Sequence, residues 1–457
     1  MYADDMFKTD QGFKDALAAC YVKLNNTSLY GRDLTITRIE LMAQLWDFSY
    51  SSGSSTLIAF KELDFSTSDS KSFFSAVYGA QYNVIVQAND ILKNIPVTGD
   101  YIEYPATRAV IEAEALAIRA FCHFDILRMF GQMPKNPSKK VELPYAKTVG
   151  REPIPYYGYE EFLKLILEDL TAAEELFKVH DPLTEYTLAE MDAGSNLVED
   201  GFLNYRRFRF NLYAVKALKA RIYMYAGNPT DAYKYAKEVI DAVSASGNAM
   251  VALAGNNDLD NNYYALPTEC IFALNNHNLA SLSSIFSWAS YAISLEHFEE
   301  LFAGLSSFSN NRKLKAWNSS IVDSNGNKYA TVRKYDQPGA GEDVASSVLT
   351  TRRQLIPMIR LSEMYLIVME TGTLAEANEL YVDYMAARSE ITSASLTQSE
   401  MEDFLEDEYR REFFAEGQMF YYYKRKGSTT MLWRIGGALT EDNYVVPLPA
   451  TELNQNN

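Results

Sequence analysis

EDFLEDEYRREFFAEGQMFYYYKRKG, from Glu402 to Gly427, is the stretch on which the reading of this chain turns. Phe404, Leu405, Tyr409, Phe413, Phe420 and Tyr423 recur at roughly three- and four-residue steps, the pattern of an amphipathic helix. Glu408 faces Arg411 and Glu412 at i+3 and i+4, and Glu412 faces Glu416 at i+4. Charges packed this densely among aromatics have to be paired where they are buried, because an unpaired buried charge is too costly. Gly417 splits the run, and a mid-helix glycine costs ~1 kcal/mol relative to alanine. It is therefore read as a turn or as a close approach of another segment. On its residues alone the stretch is a structural clasp.

Outward from the clasp, paired helices recur. Pro357–Met369 reads as a helix, and TGTLAEANELYVDYM at 371–385 echoes AGNPTDAYKYAKEVI at 226–240. Gly227 aligns with Gly372 and Ala232 with Ala377, so a small alanine follows each turn and lets two antiparallel helices approach. These are the mechanics of a tetratricopeptide (TPR) unit of ~34 residues. Phe208–Ala226 and Thr230–Val243 form one such pair. Further helices are expected at Phe7–Leu24, Phe73–Ile95 and Tyr159–Phe177. Another starts with Pro105 at its first position and stops at Gly131. The core of that last one, EALAIRAFCHFDILRMFG, is apolar on almost every side and should be central. Asp125 and Arg128 stand at i,i+3 within it, placed to pair in the interior. Residues 25–70 and 245–354 break this rhythm. They read as long insertions with a strand at Cys270–Leu274 and a hairpin, IVDSNGNKYATV, turning at Asn325-Gly326. The expected fold is mostly α: one domain, 1–457, with TPR-like helix pairs at about 73–131, 159–177, 205–243 and 355–427, loop-rich insertions, and a few short strands.

The chain of 457 residues has a formal charge of −18, with 47% hydrophobic residues and 32 Tyr, 24 Phe and 4 Trp. No basic stretch offsets the acidity, so nucleic acid is excluded as a partner and a neutral ligand is favoured over an anionic one. Apolar runs are far too short to span a bilayer. Cys20, Cys122 and Cys270 lie far apart without a CxxC, which argues against a disulfide framework or zinc site and for small buried residues. Leu17-Ala18-Ala19-Cys20 mimics a lipoprotein cleavage box. The residues before it lack both a basic start and an apolar core, so it is not one.

The motifs on these helices resemble the SusD/RagB family. Glu408, Arg411, Glu412, Glu416, Gly417, Arg425 and Gly427 match its C-terminal signature, E-R-x-x-E-L-x-F-E-G-x-R-x-x-D-L-x-R-x-G; Gln418 and Tyr422 depart from it. Ala117, Arg119, Ala120, Phe124, Asp125, Arg128, Phe130 and Gly131 resemble its central helix. IPMIRLSEMYLIVME resembles a third motif through Arg360, Glu363 and Tyr365, and Asp169-Leu170 a fourth. The resemblance implies a binding protein at the extracellular face of the outer membrane. It would capture an oligo- or polysaccharide and deliver it to a SusC-like TonB-dependent transporter. A secretion signal and a lipidated cysteine ahead of Met1 are implied too. Two alternatives remain open: a peptide-capturing RagB-type relative, and a plain TPR interaction scaffold.

No catalytic constellation is recognisable: HExxH, G-x-S-x-G, the Walker sequence and the dinucleotide fingerprint are all missing, and no carboxylate pair stands out. The expectation is a non-enzymatic protein without cofactor. His123 reads as packed and hydrogen-bonded, while His297, in EHFEE, is placed to meet carboxylates. Asp258, Asp260, Asn262 and Glu269 imitate a calcium loop. Tyr263 stands at the required glycine and Pro267 lies inside, so this reads as a solvated Asn/Asp loop and no metal is expected. The functional signal is aromatic. Flat rings receive the apolar face of a sugar while polar side chains bond its hydroxyls. Trp46, Trp288 and Trp317 fall in the insertions, and Trp433 follows the last helix. Trp288 and Tyr291, at i,i+3, are expected to form the main platform, with Asn276 beside them and Trp46 or Trp317 at its margin.

Overall fold

The computed structural model describes residues 3–47, 55–150, 152–194, 196–287, 291–323, 325–336, 352–393 and 395–453. Its principal helices are α1 (Asp10–Leu24), α2 (Ser68–Thr98), α3 (Pro105–Phe130), α4 (Tyr159–His180), α5 (Leu212–Ala226), α6 (Pro229–Ile240), α7 (Leu361–Thr371), α8 (Leu374–Ala387), α9 (Gln398–Glu412) and α10 (Met419–Lys426). Local chemistry sets their limits. Thr9, Thr67, Asn211, Asn228, Thr373 and Thr397 cap N-termini with their side chains, and Pro105 occupies the first position of α3. The fold is mostly α, and successive helices pack as antiparallel neighbours: α2 on α3, α3 on α4, α5 on α6, α7 on α8.

Helix α3 is the spine. Nearly every side chain from Thr107 to Phe130 is buried, charged ones included. Arg119 bonds both oxygens of Asp169 on α4 at 2.6 Å, and Arg128 Nε donates to Asp125 at 3.0 Å. His123 is buried between Arg119 O (2.9 Å from Nδ1) and Ala146 N (3.1 Å from Nε2), stacked on Tyr145. Burial pulls its pKa down to about 3, so the ring is neutral and holds the helix to the 143–146 segment. At the C-terminal end of α3, the buried Lys424 ammonium donates to the carbonyls of Arg128 and Gly131, each at 2.8 Å. It thereby satisfies acceptors the helix end would otherwise leave bare.

The two halves of the echo are less alike than their residues. Ala232 and Ala377 are both buried at helix contacts. Gly227 takes a left-handed φ of +78°, whereas Gly372 is extended at −81°. The expected helix from Pro357 also begins later. Leu355–Arg360 is a strand, β5, pairing antiparallel with β1 (Cys270–Asn275), and α7 starts only at Leu361. A three-stranded sheet orders β2 (Ile293–Ser294), β4 (Lys328–Val332) and β3 (Trp317–Val322), with β3–β4 the expected hairpin and Gly326 at φ +86° in its turn; Leu143–Pro144 and Tyr156–Tyr157 form a further short pair. Residues 25–70 hold more helix than expected: Arg38–Met42 and Ser55–Glu62.

The calcium-like loop is solvated at Asp260 and Asn262, as expected, but not at its two ends. Asn256–Asp260 is a short helix, Asp258 is buried and accepts from Thr268 N and Oγ1 at 2.9 and 2.7 Å, and Glu269 is buried against Arg388. Among the described residues no helix is long and apolar enough to cross a membrane.

The clasp folds as two helices, α9 and α10, hinged at 413–418. Glu412 meets Arg312 (2.6 Å), Arg360 (2.5 Å) and Arg388 (3.0 Å), and Arg360 reaches on to Glu416 (2.8 Å) and Glu269. Arg411 turns from Glu408 (2.9 Å) to the carbonyl of Leu301 (3.2 Å). The clasp thus joins α9 to β5, α8 and the insertion. Single residues from four chain segments complete each other's charge.

Candidate functional site

The segments at 32–47, 291–301 and 433 come together on one face beside the clasp. Asp47 N donates to Ala292 O at 2.9 Å, while its carboxylate accepts from Ser294 N at 2.8 Å and sits 2.5 Å from His297 Nδ1. The His297 ring stacks on Trp433, centroids 4.5 Å apart and planes within 12°. Trp433 Nε1 donates to Glu300 at 2.7 Å. Trp433 is a half-buried residue held at φ +63°, a left-handed backbone that costs a non-glycine residue ~1–3 kcal/mol and collects at functional sites. The carboxylate that the EHFEE reading anticipated for His297 comes from Asp47, 250 residues away.

Tyr291 lies just before this junction. It is half-buried, its ring edge-on to Trp46 at 6.0 Å, and Arg38, Asp33 and Arg32 lie within electrostatic reach of its hydroxyl. Burial raises the hydroxyl above the usual phenol range, so it stays a donor. Arg32 is partly exposed and bonded to its neighbour Asp33 at 2.8 Å. Arg38 is packed between aromatic rings, its guanidinium 5.3 Å from the Phe60 centroid and 5.1 Å from Phe73. Its Nε is buried and takes no hydrogen-bond partner among the described residues. Half-exposed rings, an under-used guanidinium and carboxylates on one face can stack a flat apolar surface and bond the polar groups around it.

The residues expected from sequence are distributed differently. Trp46 is fully buried, its indole N–H donates to Ile36 O at 2.9 Å, and Phe414 and Phe286 pack on it at 4.8 and 5.8 Å. Trp317 is also buried, against Phe298 at 5.4 Å and Phe414 at 4.9 Å. Both rings thus clamp Phe414 of the clasp from the insertions. They are core residues and not a margin of the platform, because each finds enough apolar surface to be removed from water. Asn276 is buried and accepts from Asn278 N at 2.9 Å, closing its own turn. Trp288 lies outside the described residues. Sequence reasoning missed Arg32, Arg38, Asp47 and the role of Trp433. A lone tryptophan beyond the last helix was a usable signal for Trp433, whereas the arginines carried none. Among the described residues no group of three or more His, Cys, Asp or Glu could hold a metal ion.

Residues 306–456 match the model of the SusD family. SusD-like protein P2 of Formosa agariphila is 29% identical over 132 residues, 29% of this chain and 25% of that protein, so the alignment spans about a quarter of the relative. In fold, a SusD superfamily protein from Bacteroides vulgatus ATCC 8482 superposes with a TM-score of 0.73 at 18% identity, covering 98% of this chain and 97% of that one. A putative sugar binding protein from the same organism gives 0.66 at 20% identity (96% and 91% covered). A laminarin binding SusD-like protein gives 0.62 at 18% (92% of each). With the signature and its ion pairs in place, residues 306–456 resemble the SusD family, and the chain shares the fold of solved SusD superfamily proteins along nearly its whole length.

Proposed function

We propose that the protein captures glycans on the face formed by Tyr291, Trp433, Arg32 and Arg38 and presents them to a SusC-like TonB-dependent transporter at the outer surface of the cell. The observation that carries this reading is the half-exposed Tyr291 ring with the Arg38 and Arg32 guanidinium groups within electrostatic reach of its hydroxyl. Two proteins of similar fold, a putative sugar binding protein and a laminarin binding SusD-like protein, support it. Trp288, three residues before Tyr291, belongs to the proposed platform. Trp46 and Trp317 support it from below through Phe414.

Affinity gels loaded with a panel of polysaccharides are the direct test. Tyr291→Ala and Trp433→Ala are each expected to weaken retention of the bound glycan about 30-fold, equivalent to ~2 kcal/mol at a hot spot, with little change in Tm. Retention equal to the unaltered protein in both variants removes this face from the proposal. Retention of peptides with no glycan bound at all would favour the peptide-capturing alternative.

Capture without cleavage is expected as well, since among the described residues the face shows no recognisable nucleophile–base pair and no two carboxylates flanking an open cleft. Prolonged incubation with a bound oligosaccharide, followed by chromatography, should return it at its original length; shorter products from pure protein overturn this.

A further inference from the structure

Away from that face, α3, α5, α7, α9 and α10 converge on a cavity of about 40 Å³ lined by Arg128, Arg221, Tyr225, Glu363, Tyr421 and Arg425, among others. We propose that this cavity binds one small monovalent anion of halide size, which ties the five helices together. The hydroxyls of Tyr225 and Tyr421 are buried and make no hydrogen bond among the described residues. These side chains are 3% and 4% exposed. Leaving such a group unbonded costs about 1–3 kcal/mol, and ~10–15 Å³ is already enough room for one water-sized guest. A polar cavity of this size therefore does not stay empty.

The donors in the wall decide what fills it. The Glu363 oxygens already accept from Arg221 Nε and Nη2 at 2.7 and 2.6 Å, and Gln418 Oε1 accepts from Arg128 Nη1 at 3.1 Å. What remains is weighted towards donors, with the tyrosine oxygens able to accept as well. Among the described residues Arg221 Nη1 and Arg425 Nε take no protein acceptor, since Arg425 spends both its terminal nitrogens on Glu370. Burial holds the Tyr225 and Tyr421 hydroxyls well above the ordinary phenol range, so they keep their protons and donate. The Arg128 guanidinium lies flat on the Tyr421 ring, 3.9 Å from its centroid, and adds positive potential. A water here would have chiefly the tyrosine oxygens to donate to. A halide needs donors alone, and this wall supplies them.

The test uses the whole chain. Thermal unfolding is followed while sodium gluconate is exchanged for sodium bromide or chloride at constant ionic strength, and crystals are grown in bromide. The expected result is a saturable rise in Tm of about 3 °C and an anomalous bromide peak within hydrogen-bonding distance of both tyrosine hydroxyls. Tyr421→Phe and Tyr225→Phe should each lower the halide affinity at least tenfold. Water peaks alone in the cavity, or a Tm indifferent to halide, overturn the proposal. So does a halide response unchanged in both variants. If Tyr421→Phe fails to fold, the bromide map and titration of the unaltered protein decide the matter without it.

Discussion

Glu412→Ala will destabilise the protein by about 3–5 kcal/mol, the loss expected when one member of a buried ion network is removed and its partners are stranded. Glu412 is 3% exposed and is the only carboxylate that Arg312, Arg360 and Arg388 share among the described residues; Tyr384 also donates to it at 3.0 Å. Burial opposes its charge, yet Arg388, Arg360 and Arg312 outweigh burial and hold the carboxyl well below the usual range. The sign of the pH dependence follows. A depressed carboxyl contributes stability that is complete above the unfolded value of about 4.3 and is lost as the pH falls below it. Unfolding in denaturant at pH 7 and at pH 4 measures both effects, and the alanine variant should lose part of the acid sensitivity. The affinity of its folded fraction for glycan should not change, because Glu412 lies in the clasp and not on the Tyr291 face. Unaltered stability with lost binding would contradict the assignment.

Gly417→Ala is expected to cost about 3 kcal/mol or more, and by a different route. Gly417 sits at φ +72°, and a Cβ there would lie 2.0 Å from the carbonyl oxygen of Leu34. The neighbour is backbone, so it cannot rotate aside. The same hinge is bonded from the other chain segment: Glu40 accepts from Ala415 N at 2.7 Å and from Gly417 N at 2.8 Å. Pushing Leu34 away breaks that pair of bonds and moves the segment that carries Arg32 and Arg38. Gly417→Ala should therefore lower both Tm and glycan affinity, whereas Glu412→Ala lowers Tm alone. An alanine variant with ordinary Tm would mean that the hinge and residue 34 are not held together in solution.

The two variants also show what kind of information the chain carries in plain view. The apolar periodicity of EALAIRAFCHFDILRMFG marked a helix buried all round, and α3 is that helix. The crowding of Glu408, Arg411, Glu412 and Glu416 among aromatics required pairing, and those side chains are paired. Gly417 marked either a turn or a close approach, and it is both. Leu355–Arg360 was misread because an apolar run of that length serves a helix or a buried strand equally well. Its partner, Cys270–Asn275, is 80 and more residues away, and only that pairing settles the choice. Trp46 and Trp317 were misread because a ring in an insertion is as able to plug the core as to face a ligand. Phe414, far along the chain, decided for the core.

By itself, then, the sequence determined the elements whose signal is local: helix periodicity, N-caps, the Asn-Gly hairpin, and the demand that dense buried charge be neutralised. It also carried the resemblance to the SusD family, through motifs made of those same structural residues. The tertiary structure alone decided which side chains meet. Arg312, Arg360 and Arg388 find Glu412 across up to a hundred residues, Asp47 finds His297, and Trp433 lands on that ring. Periodicity reports which face of an element is buried, but nothing in a linear pattern encodes the partner that buries it. The proposed face, assembled from three distant segments, leaves no repeat to read. Its residues become visible only once packing has spent the apolar surface and left Tyr291, Arg38 and Trp433 at the boundary with water.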